Sequence, residues 1–122
     1  MRLDMDSSVV GSSTALLVVT GVIDWSTITQ FRASLAQHVS HPRSDILVDL
    51  TGLLSWSSPA QAAMVGAMTR ARMHGGRLAV FGLGPIPAWQ ARSSGLDGAL
   101  SPFPTQADAQ VSPLGPSPKF AL

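Results

Sequence analysis

The segment 45–73 constrains this chain more than any other, because it places a strand and a helix in close succession. Ile46, Leu47, Val48 and Leu50 form a short, almost unbroken apolar run. That is the pattern of a strand covered on both faces, as in a sheet with helices packed against it. Asp49-Leu50-Thr51-Gly52 reads as a turn. Ser58-Pro59-Ala60-Gln61 then reads as a helix start. Ser58 is the expected cap, Pro59 the first helical residue, where its missing N–H costs nothing, and Gln61 the partner in a capping box. Two adjacent hydroxyls, Ser57 and Ser58, are thereby delivered to a helix N-terminus, where unpaired N–H groups and the positive end of the helix dipole favour negative charge.

The flanking sequence supplies the rest of a layered fold. Val9-Val10, a turn at Gly11-Ser12-Ser13 and the apolar run 15–20 predict a hairpin whose second strand is central. Residues 1–8 are loose or lead into an edge strand. Ser26 or Thr27 starts a helix in which Ile28, Phe31, Leu35, Ala36 and Val39 recur near helical spacing, to about His38. Pro42 stops it in the loop 41–44. In the helix after Ser58, Gln61, Met64, Val65, Met68 and Ala71 mark the core-facing stripe, and Ala60, Ala63 and Ala67 a neighbouring face without bulk. Gly75-Gly76 ends that helix, 77–81 is the next strand, and 86–94 is a short helix closed by Gly95. Strands alternating with helices require parallel pairing through right-handed crossovers. The expected class is α/β: a mixed sheet of four to five strands with an N-terminal hairpin, packed by two to four helices. One domain spans 1–110, and the Pro-rich segment 111–122 is expected to be a disordered tail.

Three stretches resemble one family. The run 49–60 reads D-L-T-G-L-L-S-W-S-S-P-A. It resembles the central motif of the STAS domain family, the bacterial anti-sigma factor antagonists, D-L-S-x-L-x-x-I-D-S-S-G-L. Ser57 stands where the family carries Asp, and Pro59-Ala60 where it carries Ser-Gly. Gly21, Ile23, Asp24, Phe31 and Leu35 match the family's G-x-[LI]-D and the helix after it. G-G-R-L, a Pro-containing turn, a short helix and S-G-L-D are similar to its C-terminal half. The resemblance implies an anti-sigma factor antagonist whose partner is an anti-sigma factor of the serine-kinase type. It implies a phospho-acceptor at Ser58, with Ser57 the second choice, and a partner-binding surface of Asp24, Trp25, Ser57, Ser58, Ala60, Ala63 and Ala67. The alternative within the same family is a STAS subunit of a membrane-transport complex that docks on its ATPase.

Composition narrows the function classes. A net charge of +1 gives no field for steering onto nucleic acid. Without cysteine there is no disulfide, thiolate nucleophile or Cys-ligated zinc. No run approaches a membrane span and the N-terminus lacks a signal-peptide pattern, so a cytoplasmic protein is expected, neither inserted in a membrane nor bound to nucleic acid. His38, His41 and Asp45 are interrupted by Pro42 and do not form a metal-binding spacing, and Gly82-x-Gly84 lacks the third glycine of a dinucleotide fingerprint. Asp24 and Asp49 are the one conceivable acid/base pair, with no nucleophile nearby. The expectation is a regulator with no cofactor and no catalytic residues. A flavodoxin-like enzyme would need a nucleotide or flavin pocket that the residues do not provide.

Each candidate also has a plainer role. Ser58 serves equally as a helix cap, Asp24 as a capping carboxylate near Ser26, and the alanines as helix formers. Trp56 aligns with an apolar family position and reads as core, while Trp25 is open to either role. The sequence leaves oligomeric state undecided.

Overall fold

In the computed structural model, which describes residues 2–10, 13–42 and 44–111, the ten-residue strand β2 (Thr14–Ile23) is the axis of a five-stranded sheet. β1 (Leu3–Val10) pairs antiparallel with it, Leu3 opposite Gly21 and Val10 opposite Thr14. On its other side β2 carries two strands in line. β3 (Asp45–Asp49) pairs in parallel with Thr14 to Val18, and β4 (Leu53–Trp56) with Gly21 to Ile23. β5 (Arg77–Phe81) adds in parallel outside β3. The helices are α1 (Ile28–Val39), α2 (Ser58–Met73), α3 (Pro85–Ser94), the four-residue α4 (Asp97–Leu100) and the six-residue α5 (Gln106–Val111). The expected mixed α/β sheet with an N-terminal hairpin is present. Among the described residues the helices number five, above the expected two to four, because α4 and α5 are too short to leave a helical period in the sequence.

Two strands differ from expectation. β1 begins at Leu3 because Leu3 and Met5 turn toward the core while Asp4 and Asp6 alternate outward. Charge on an exposed edge strand also blocks edge-to-edge pairing. β4 was not foreseen: after β3 the chain turns, with the Leu53 N–H donating to the Leu50 carbonyl, and then rejoins β2. Its outer edge is covered by α3, whose Gln90 side chain accepts from the Trp56 N–H and donates to Ser55 Oγ.

Strand alternation sorts the core into two. Leu17, Val19, Ile46, Val48, Leu78 and Val80 pack against Phe31 and Leu35 of α1 and Met64 and Met68 of α2. Leu47, Ala79 and Phe81 form a smaller cluster with Ala109 of α5, with Leu16 and Phe103 against it. Helices α2 and α3 both close with paired carbonyl-capping bonds, Gly76 N–H to Ala71 O and Gly75 N–H to Arg72 O in one, Leu96 N–H to Ala91 O and Gly95 N–H to Arg92 O in the other. Both Gly75 and Gly95 have φ of 78°, as that motif requires. The expected tail at 112–122 lies outside the described residues, while Val111 ends α5.

A partly buried polar chain fixes α5. Thr14 Oγ1 and Arg77 Nε both donate to the Asp45 carboxylate, and Arg77 also donates to the carbonyls of Ala109 and Gln110. A guanidinium at the carboxyl end of a helix satisfies carbonyls that have no intrahelical partner. Removing it leaves a carboxylate and helix carbonyls without their donor. Arg77→Leu is therefore expected to lower unfolding free energy by about 2–3 kcal/mol in urea titration, less than for a fully buried broken pair because Asp45 is partly solvated and keeps its Thr14 donor.

Candidate functional site

The site lies at the carboxyl end of β2 and β4. Ile23 pairs with Trp56, and the Ser57 N–H donates to the Ile23 carbonyl at 3.0 Å. The two strands then diverge, one into Asp24-Trp25 and the other into Ser57-Ser58. Both hydroxyls and both residues of the β2 turn are thus held at one sheet end by backbone pairing.

Ser57, and not Ser58, is the helix cap. Its backbone is extended (φ −76°, ψ 162°) and its Oγ accepts from the Ala60 N–H at 3.3 Å. Pairing with Ile23 holds residue 57 extended and the helix begins at the next residue, Ser58, one earlier than expected, with Gln61 N–H bonded to the Ser57 carbonyl. Pro59 is consequently the second helical residue, and Gln61 lies beyond the capping-box position. Gln61 is 1% exposed, donates to the Trp56 carbonyl and accepts from Ser94 Oγ, tying α2 to α3. Ser58 is exposed and free of capping duty. In this first turn the Ala60 amide is occupied by Ser57 and Pro59 has none. The Ser58 N–H remains, with no bonding partner among the described residues.

Asp24 is held by its own turn. Its Oδ1 accepts from Ser26 Oγ at 2.6 Å and from the Ser26 N–H at 2.9 Å, while Thr27 Oγ1 accepts from the Asp24 N–H and donates to the Val22 carbonyl. The Ser26 hydroxyl bond holds the carboxyl below the usual aspartate range, the Ser26 amide and Thr27 adding to it and burial opposing it. Beside it Trp25 is 89% exposed. Trp56 is 1% exposed, its indole N–H donating to the Pro87 carbonyl, so it is a core residue.

The alanine face requires correction. Ala60 and Ala67 are both fully buried and pack in the main core, so no partner can touch them; Ala63 is partly buried. Small residues were needed there because α2 lies close against the sheet and α1. Sequence reasoning also missed further exposed apolar side chains, among them Leu54 on β4 and Ile86 and Trp89 on α3. Their signal was present: Ile86 and Trp89 are three apart and share a helix face.

Other candidates fall apart in space. Asp49 lies opposite Val18, six residues from Asp24 along β2, so the two carboxylates are about 20 Å apart at strand rise. Asp49 instead accepts from the Thr51 N–H and hydroxyl in its own turn. His38, His41 and Asp45 line an open cleft of about 450 Å³ at the opposite end of the sheet, where Asp45 is engaged by Arg77 and Thr14. Among the described residues no group of three His, Cys, Asp or Glu is placed to hold a metal. No described helix is long and apolar enough to cross a membrane.

The family model described as "Mlab, STAS domain" matches residues 9–102. No curated protein matches the chain. Among solved structures, an anti-sigma factor antagonist from Mycobacterium paratuberculosis superposes with TM-score 0.76 at 19% identity, over 91% of this chain and 93% of that one. The anti-sigma factor antagonist SpoIIAA in its unphosphorylated form gives 0.70 at 18% identity, over 88% and 93%. Its phosphorylated form, from Bacillus, gives 0.63 at 18%, over 88% and 96%. The murine anion transporter Slc26a9 gives 0.62 at 11% identity, covering 90% of this chain and 22% of that one. These likenesses agree on the fold: an open mixed sheet with helices.

Two measurements check the local geometry. Ser57→Ala is expected to cost about 1 kcal/mol of stability and Ser58→Ala less than about 0.5 kcal/mol, read by thermal or urea unfolding. The reverse order would restore Ser58 as the cap. In an NMR titration Asp24 should protonate below the usual aspartate range, and Ser26→Ala should raise its midpoint. Because the folded-state pKa is the depressed one, the turn's contribution to stability is complete above the ordinary aspartate pKa and is lost as pH falls through the folded value.

Proposed function

Since the chain belongs to the STAS domain family, we propose that it is a non-catalytic regulator acting as an anti-sigma factor antagonist. It binds an anti-sigma factor of the serine-kinase type in the cytoplasm and so frees a sigma factor for transcription. Its binding unit is the domain 1–110, and Asp24, Trp25, Ser57, Ser58 and Ala63 mark the contact region. Phosphorylation of Ser58, with Ser57 the second choice, switches the binding off.

One observation carries this reading: an 89%-exposed tryptophan, Trp25, stands at the same sheet end as the exposed, duty-free hydroxyl of Ser58. An exposed tryptophan is the side chain best suited to anchor an interface, since it buries a large area at little entropic cost. A phosphate on Ser58 adds about −1.5 to −2 charges. Only the Ser58 N–H is left to receive it in the first turn, and the Asp24 carboxylate at the same end is held ionised. The charge is thus presented to the partner and not absorbed by the helix terminus. Ser57 is the weaker acceptor because its hydroxyl is committed to the cap.

The test is capture of the partner from the protein's own cells, followed by binding with purified components. Trp25→Ala is expected to weaken binding by roughly 30-fold or more, the loss of a strong anchor. Ser58→Asp should abolish binding and Ser58→Ala should keep it. Equal binding by Ser58→Asp and wild type would remove the switch.

A second reading is a STAS subunit docking on the ATPase of a membrane-transport complex. It is favoured by the likeness to part of an anion transporter. Under it a transport ATPase co-purifies, and Ser58→Asp binds as the wild type does.

A further inference from the structure

The net charge of +1 conceals a segregation. The chain has no glutamate, and its seven aspartates are Asp4, Asp6, Asp24, Asp45, Asp49, Asp97 and Asp108. None lies on α1, α2 or α3, which together carry Arg32, Arg70, Arg72 and Arg92. Surface helices ordinarily intersperse both signs at spacings of three and four. Here Arg32 is flanked at four residues by Ile28 and Ala36, and Arg70 by Gly66 and His74. Among the described residues the ion pairs are Arg2 with Asp4 and Arg77 with Asp45, so Arg32 and Arg70 have no countercharge.

These two arginines rim one groove. Helices α1 and α2 lie side by side on the same face of the sheet, and between them runs an open groove of about 460 Å³. Its walls are Leu35, Ala36, Ala63 and Gly66, with Arg32 on one rim and Arg70 on the other. Arg70 Nη1 lies 3.6 Å from where a Cβ on Gly66 would stand, so that guanidinium leans back over the glycine.

We propose that this groove docks an acidic amphipathic helix of a partner protein, its apolar edge on Ala36 and Ala63 above the buried Leu35 and its carboxylates on Arg32 and Arg70. The groove's small side chains let a helix approach closely, and a guanidinium fork on each side matches carboxylates that an apolar groove alone would not select. Two guanidiniums are too few to track a phosphate backbone, which takes several neutralised phosphates for useful affinity. They also fall short of the polybasic cluster that holds a protein on an anionic membrane. This surface runs along α1 and α2 and shares Ala63 with the contact region proposed above, but its two arginines lie outside that region, so it is tested independently of the Ser58 end.

The experiment titrates the isotopically labelled full chain at low ionic strength with four probes. They are a synthetic helical peptide with a leucine edge flanked by glutamates, the same peptide with lysine for glutamate, a short DNA duplex, and phosphatidylglycerol vesicles. The acidic peptide is expected to shift the amides of Ala36, Ala63 and Gly66. Its affinity should fall with salt and drop about tenfold in the doubly substituted Arg32→Gln, Arg70→Gln chain. Both positions are exposed, and an unchanged melting curve will show that the variant is folded. No response, an equal response to the lysine peptide, shifts confined to Trp25 and Ser58, or a stronger response to DNA or vesicles would each overturn the proposal. None of those results would touch the Ser58 switch, which is read by a different variant and partner.

Discussion

The whole arrangement depends on how β2 is shared. One strand must accept β1 along one side and two collinear strands, β3 and β4, along the other. The ladder to β4 shifts register between Gly21 and Val22, and the backbone there resolves the conflict. The Gly21 N–H donates to the Gly52 carbonyl on the β4 side, and the Val22 N–H to the Arg2 carbonyl on the β1 side. Gly21 has φ of 106°, and a Cβ on it would fall 2.0 Å from the Arg2 carbonyl oxygen. Only glycine combines that torsion with so close an approach. The turn that feeds β4 is equally tight, since a Cβ on Gly52 would meet Thr20 Cγ2 at 2.5 Å.

Function at the sheet end follows from that pivot. Because β4 pairs with the last residues of β2, the chain segments after Ile23 and after Trp56 emerge together. Their polar side chains are then divided by task. Ser57 caps α2, Thr27 and Ser26 hold the Asp24 turn, and Gln61 and Gln90 tie α2 and β4 to α3. What is left over at the surface is an indole and a hydroxyl. The proposed recognition surface rests on that pair.

The helical layer shows a second division of labour. The carboxylates lie on the strands, their turns and the two short helices, where Asp24, Asp45 and Asp49 are engaged by local hydroxyls or by Arg77. The arginines of α1, α2 and α3 have no such partners among the described residues.

Much of this was legible in the residues. Apolar runs and glycine ends located β2, β3, β5 and the three longer helices, because burial leaves a period in the sequence. The D-L-T-G-L motif and the G-x-I-D turn located the site end. Three things were not legible. β4 has four residues, too few for a period, and exists because β2 extends beyond β3 and leaves hydrogen-bonding groups to be paired. The cap moved from Ser58 to Ser57 because a long-range bond to Ile23 outweighs local capping preference. Ala60 and Ala67 became core because helix-to-sheet distance, which no local pattern encodes, decides whether a small residue is a surface or a contact. The sequence by itself determined the order and type of the main elements, since local chain physics acts through spacing. Tertiary structure alone decided which serine is free and which alanines are buried, since both depend on contacts between residues distant along the chain.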